Sequence, residues 1–262
     1  NNRIMSFLYG MLALALVFVL LERIDPWRRQ RLWRDKIGQD LFYLLMNGYL
    51  MGMLAYWFLY WVDGSLLPQR VTELISLGLV SEWPVWGQFI VVFFLIDFVQ
   101  WCIHNLLHRV PFLWEFHKTH HSIEEMDWIG QMKFHWMEWI VYKSLLFFPF
   151  TLLDVAPGVV FASGLLTLAI GFFNHSNIDI DIGPLRYFFN NPRMHIWHHT
   201  HPDCGPTLCN FGLNLSLWDW IFGTAYQPEG KFPERIGLAE EDRFPDSLWA
   251  QLIYPLRLKK GE

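Results

Sequence analysis

VWGQFIVVFFLIDFVQWCIHNLLHRVPFLWEFHKTHH, residues 85–121, decides the fold. Residues 85–103 are almost wholly apolar and long enough to cross a bilayer as a helix, which takes about 20 residues. The run passes without a break into His104 and His108. Arg109-Val110-Pro111 then ends the helix, and Pro111 suits the first turn of a second one, which carries His117, His120 and His121. A turn of about 3.6 residues places i, i+3 and i+4 on one face, so H-x3-H and H-x2-H-H each aim their imidazoles one way. A second H-x2-H-H, His195/His198/His199, follows Asn191-Pro192, an N-cap with proline at the first helical position. All eleven histidines fall between His104 and His201. Imidazole is the commonest protein metal ligand, so the three groups, with His175 between them, read as a polyhistidine metal centre. His201 reads as structural, and His135 as either a ligand or a group that orients one.

Asp97, Trp101, His104 and His108 share one helix face. A charge inside a span costs about 2.5–3.5 kcal/mol on insertion scales. Asp97 therefore either reaches water or an internal donor near the helix end, or hydrogen-bonds to a ligating histidine and orients it.

Working outward, 53% of the 262 residues are apolar and 17% are charged, against about 25% charged in soluble domains. That balance points to a membrane protein. The net charge of −5 and the absence of a basic block exclude a nucleic-acid partner. Cys102, Cys204 and Cys209 form no even disulfide framework. Cys204 and Cys209 flank the last histidine group and are read as free thiols in preference to a zinc or redox pair.

Residues 4–21, 41–62, 136–153 and 155–173 are further apolar runs, and Asp154 with Pro157-Gly158 makes the last two a tight hairpin. Lys143 interrupts the first of that pair and can snorkel or pair with Glu138. Arg23, Arg28, Arg29, Arg31, Arg34 and Lys36 follow the first run as a positive-inside signal. They set the N-terminus outside and the histidine groups, with Lys259-Lys260, in the cytoplasm. Tryptophans fall near both expected boundaries: Trp57, Trp61, Trp83 and Trp86 outside; Trp27, Trp33, Trp101, Trp136 and Trp139 inside. The expected fold is all-α, a polytopic bundle of about four to five spans with a cytosolic helical cap. Residues 1–88 form N-terminal spans and loops, 89–226 the histidine domain including the hairpin 136–173, and 227–262 a cytosolic tail.

A structural zinc site needs about four ligands, usually with cysteine, and nine clustered histidines suffice for two metals. H-E-x-x-H is absent, because His117-Lys118-Thr119-His120-His121 has no glutamate after the first histidine. Haem needs one or two axial histidines within the spans. A transporter places ligands near the midplane, where only Asp97 qualifies. A centre at the membrane boundary can instead take O2 and electrons from water while a lipid chain enters from the bilayer. Attack on an unactivated C–H bond needs a redox metal, which argues for iron. The alternative is a metal-binding membrane protein for transport or sensing without O2 chemistry.

The chain resembles the sterol desaturase/fatty acid hydroxylase superfamily of integral-membrane di-iron oxygenases. The resemblance runs from Asp97-Phe98 through His104-x3-His108-Arg109 and Leu113-Trp114-x2-His117-x2-His120-His121-Ser122 to Asn174-His175-Ser176. It continues with Asn190-x-Pro192-x2-His195-x2-His198-His199, Asn210-Phe211-Gly212 and Trp218-Asp219…Phe222-Gly223-Thr224. It implies two iron ions, O2 as co-substrate, and hydroxylation, desaturation or demethylation of a lipid. It makes His104, His108, His117, His120, His121, His175, His195, His198 and His199 the ligands, with Asp97, Asn210 and Asp219 supporting them. Fatty acid 2-hydroxylases of that superfamily carry a paired H-x3-H before the last group. Here only His175 stands there, with Gly171 and Asp179 four residues to either side, so Asp179, His135 or water is left to fill the gap. No fused electron-donor domain is visible, which implies a separate ferredoxin or cytochrome b5 type donor with its reductase. The unfused form implies a bacterial inner membrane, or the ER membrane if the chain is eukaryotic.

Overall fold

The computed structural model describes residues 2–54, 74 and 76–256. Its regular elements are helices: α1 (Asn2–Ile24), α2 (Ile37–Leu45) leading into a π-helical turn (Met46–Leu50), α3 (Val85–Arg109), α4 (Pro111–His121), α5 (Trp136–Leu153), α6 (Pro157–His175), α7 (Pro192–His198), α8 (Leu217–Phe222) and α9 (Leu248–Ile253). Among the described residues there is no strand, only isolated bridges between Phe189 and Leu215 and between Thr200 and Ile236. The helical class expected from the sequence holds. Among the described residues, α3 and α6 are the helices long and apolar enough to cross a membrane. The expected run 41–62 is described only to residue 54. Trp57, Trp61, Lys259 and Lys260 and the Lys143 side chain lie outside the described residues.

Two units share the chain, each assembled from three segments. One holds Gly38–Thr119, Met132–Thr167 and Phe244–Glu262. Its core is Val80, Val92, Ile96, Leu146, Leu153 and Val159. Here α3 runs six residues past the expected span end, to Arg109, so His104 and His108 ride on the apolar helix itself. Val110 ends it in an extended conformation (φ −96°, ψ 111°), which is what a residue before proline prefers. Asp154 closes α5 at φ 56°, a left-handed cap that a short polar side chain tolerates. Ahead of α5, Asn47 donates from Nδ2 to the carbonyls of Met132 and Phe134 at 2.8 Å each. Beside it, Lys133 and Asp40 form an ion pair at 3.0 Å with both side chains 2% exposed.

The other unit holds Asn1–Ile37, His120–Gln131 and Leu168–Arg243. Ile123, Met126, Ile196, Trp197 and Ile236 form its core, with Trp27 and Phe232 against them. The buried Glu22 carboxylate accepts the amides of Trp128 (2.8 Å) and Asn177 (2.9 Å). Arg34 pairs with Asp127 at 2.8 Å, and Arg28 donates to the Glu234 carbonyl at 2.5 Å. Two arginines of the basic connector thus hold this unit together, a role the positive-inside reading does not include. The division falls within α4, between Thr119 and His120.

Removing one partner of a buried ion pair strands a charge, at a cost of about 3–5 kcal/mol, whereas replacing both with apolar groups is often neutral. Lys133→Met alone should lower the unfolding temperature in detergent sharply, and Asp40→Leu/Lys133→Met should restore most of the loss. Equal stability of the single and double variants would show that the pair contributes no such constraint.

Candidate metal centre

In the unit built on His120–Gln131 and Leu168–Arg243, four buried histidines converge. His120, His175, His195 and His199 offer ligand atoms that all lie within 4.8 Å of one another. His120 comes from the end of α4 and His175 from the last residue of α6. His195 lies on α7 and His199 caps it. Asn191 accepts the Met194 amide at 3.1 Å and Pro192 opens the helix, as the sequence predicts. His121 and His198 form a second contact, Nε2 to Nε2 at 3.1 Å.

Where their outward nitrogens are bonded, these rings are oriented by backbone carbonyls. His175 Nδ1 donates to the Gly171 carbonyl at 2.9 Å, and His198 Nδ1 to the Cys209 carbonyl at 2.8 Å. Each proton is therefore on Nδ1, and each Nε2 presents a lone pair. The His175 lone pair faces His120 Nε2 at 3.2 Å and His195 Nε2 at 3.0 Å, and His195 Nε2 also faces His199 Nε2 at 3.2 Å. A single Nε2 proton on His195 would have to serve two neighbours at once, so these contacts cannot all be good hydrogen bonds. A cation among them satisfies all four. Four imidazoles without a thiolate are a donor set that suits iron, zinc or copper. The donor set fits a divalent transition metal.

The other unit brings together His104 and His108 of α3 and His117 of α4. Their ring centroids stand 5.2, 5.1 and 4.8 Å apart. His117 Nδ1 is bonded to Glu138 Oε2 at 2.6 Å, with both side chains buried, so Nε2 is the ring nitrogen it can offer a metal. Burial holds the imidazoles of His117 and His199 below their ordinary protonation range, with the neighbouring histidines adding to the effect at His199. Both rings are therefore neutral at neutral pH, the form in which an imidazole can bind a metal.

The supporting residues act through the backbone. Asp219 accepts the Phe211 amide on Oδ1 (2.9 Å) and the Gly212 amide on Oδ2 (2.7 Å), and Thr224 Oγ1 donates to it at 2.6 Å. Asn210, at φ 55°, donates to the carbonyls of Met194 and Tyr226 at 2.7 Å each. Together they fix the segment whose Cys209 carbonyl orients His198. Cys209 itself is a buried free thiol, pushed up to about 12 by burial and then by Asp219, so it is no thiolate ligand. Asp97 is fully buried on the α3 face that carries His104.

Two expectations change. His135 caps α5: its Nδ1 accepts the Met137 amide and its Nε2 donates to the Leu252 carbonyl, both at 3.1 Å. Neither nitrogen is left for a metal. Asp179 is taken by Arg193 at 2.7 Å on the surface and stands outside the four-histidine group. At the gap before His175, Gly171 contributes a carbonyl instead of a side chain, and a Cβ there would run into the Gln131 carboxamide. His201 is structural as read, accepting the Asp203 amide. Glu138 is the residue that sequence reading missed as a partner of the site. The available signal was a carboxylate in the first turn of an apolar run.

A family model described as fatty acid hydroxylase matches residues 89–224. The chain is 28% identical over 259 residues to ornithine lipid hydroxylase OlsE of Rhizobium tropici, across 95% of this chain and 75% of that protein. It is 29% identical over 155 residues to alkylglycerol monooxygenase of Homo sapiens, across 58% of this chain and 33% of that protein. It is 26% identical over 228 residues to very-long-chain aldehyde decarbonylase GL1-6 of Oryza sativa subsp. indica, across 82% of this chain and 31% of that protein. The chain thus spans about a third of the length of the last two. No solved structure matches.

Gly212 has no room for a side chain, since a Cβ would collide with the Leu215 carbonyl and the Asp219 carboxylate. Gly212→Ala and Asp219→Ala should each cost about 1–3 kcal/mol and loosen the Cys209 carbonyl from His198. Both variants should lose bound metal faster to a chelator than wild type. Wild-type retention would show that this segment does not orient His198.

Proposed function

The chain belongs to the fatty acid hydroxylase family, and from that premise we propose that it is a membrane-bound di-iron oxygenase that oxidises a lipid with O2 and externally supplied electrons. The observation that carries this reading is the set of buried imidazoles whose Nε2 atoms converge at 3.0–3.2 Å. His120, His175, His195 and His199 would hold one iron, and His104, His108 and His117 the other, with His121 and His198 completing the nine ligands. When bound, iron supplies the O2 reduction and C–H attack that no protein side chain provides. The named relatives are an ornithine lipid hydroxylase, an alkylglycerol monooxygenase and a very-long-chain aldehyde decarbonylase. They favour insertion of oxygen over desaturation, and a lipid with an extended apolar chain as substrate.

The protein's own contribution is orientation and exclusion. The Gly171 and Cys209 carbonyls and the Glu138 carboxylate each fix one ring tautomer. Asp219 and Asn210 hold the backbone beneath His198, and Asp97 is assigned the orientation of the α3 histidines from within the helix. Burial of His195, His198 and His199 at 0–1% exposure keeps bulk water from the donor atoms. In the membrane, α3 and α6 span, and α1, the helix that begins at α2, and α5 bring the total to four or five. The histidines face the cytoplasm of a bacterial inner membrane, within reach of a ferredoxin or cytochrome b5 type donor and its reductase. Trp83 and Trp86, both exposed at the start of α3, suit the opposite interface.

Comparative lipidomics of an expressing host under 18O2 tests the proposal. Wild type should carry iron and yield a lipid that has gained one labelled oxygen atom. His120→Ala should lower that product by more than the 10–100-fold typical of residues that only support a ligand. Metal flux or metal-dependent partner binding without O2 consumption would favour the transport or sensing alternative and sink this one.

A further inference from the structure

The oriented histidines are not all held alike. In the unit that carries His175 and His198, the bonded Nδ1 atoms meet neutral backbone carbonyls at 2.9 and 2.8 Å. His117 Nδ1 meets a carboxylate oxygen at 2.6 Å, with the side chains of His117 and Glu138 only 3% and 4% exposed. When the carboxyl is ionised, such a bond is roughly twice as strong as one to a neutral acceptor. A carboxylate on the outer nitrogen of a ligating imidazole also raises the basicity of the inner one.

Glu138 is also expensive where it stands. It lies in the first turn of α5, a largely apolar helix that also carries Lys143, and a buried carboxylate is costly unless its charge is matched. The local structure holds it there on purpose-built contacts. His135 caps the helix through the Met137 amide, and the Glu138 amide returns to the His135 carbonyl at 2.9 Å. His135 Nε2 and Trp136 Nε1 both donate to the Leu252 carbonyl, at 3.1 and 2.8 Å. The first turn of α5 is therefore pinned on both sides of the carboxylate. A neutral imidazole would not offset an ionised carboxylate there, and a divalent cation on the far nitrogen would.

We propose that Glu138 is a positioning residue for His117: it fixes Nε2 as the nitrogen offered to iron and makes the iron on His104, His108 and His117 the more electron-rich of the two. The proposal rests on the di-iron reading above. His135, expected as a ligand or its support, acts one step further out, by holding the helix turn that aims Glu138.

The test uses full-length, iron-loaded protein in detergent. Release of iron to a chelator is followed alongside 57Fe Mössbauer spectra, neither of which depends on turnover. Wild type should hold two irons with distinct signals. Glu138→Gln keeps an acceptor oxygen but removes the charge. It should still load two irons, release one of them about 10–100-fold faster and shift one signal only. Glu138→Ala should lose that iron. In a His117→Ala background, adding Glu138→Gln should change nothing further. If Glu138→Gln does not purify folded, Glu138→Asp, which keeps the charge but shortens its reach, is read on the same two measurements and should also perturb one iron. Two irons released at the wild-type rate from the variants, with unchanged spectra, overturn the proposal and leave the functional reading intact. Wild-type protein that binds no iron overturns both.

Discussion

Imidazole Nε2 atoms brought within 3.0–3.2 Å of each other in a buried setting impose the constraint on which the rest of the molecule depends. Polar nitrogens crowded together inside a protein are expensive unless each is satisfied. The fold holds them in place from outside. His175 is anchored one turn back on its own helix, at the Gly171 carbonyl, and His198 across a loop, at the Cys209 carbonyl. The loop is in turn held by Asp219 through two backbone amides and by Asn210 through three backbone partners. A molecule that spends this much structure on aiming nitrogen atoms at one another is organised for a cation.

Glycine has two distinct tasks here. Gly171 makes room for the Gln131 carboxamide and lends its carbonyl to His175, so this position works through the main chain. Gly212 lets the Asp219 carboxylate approach the backbone closely enough to accept two adjacent amides. Both are close-approach requirements that arise without an unusual backbone angle at the glycine.

Much of this was legible in the sequence because helical periodicity is local. H-x3-H and H-x2-H-H fix which side chains share a face, Pro111 and Asn191-Pro192 mark where helices begin, and Asp154 marks the hairpin turn. What was not legible depends on contacts distant along the chain. Glu138 meets His117 across 21 residues, and nothing in the string around either residue announces the pair. His135 looked like a ligand because it is a histidine near the others, yet helix capping and the Leu252 carbonyl use both its nitrogens. Asp179 sat at a suitable spacing from His175 but is claimed by Arg193. Asn210 and Asp219 stand out in the sequence as candidate supporting residues, and both hydrogen-bond to the backbone of this loop and its neighbours. Their means, the backbone of residues 209–212, could not be read from identity alone. The basic connector carries a double meaning for the same reason: Arg28 and Arg34 are partly structural, which charge counting does not reveal.

X-ray absorption at the iron edge of the iron-replete protein tests most directly whether these imidazoles hold iron. The account predicts a first shell of nitrogen and oxygen only, at about 2.1 Å, with the outer scattering of several imidazoles per metal and no sulfur, since Cys209 is a buried thiol. A spectrum with sulfur ligands, or protein that excludes iron and takes tetrahedral zinc alone after iron-replete expression, would contradict it.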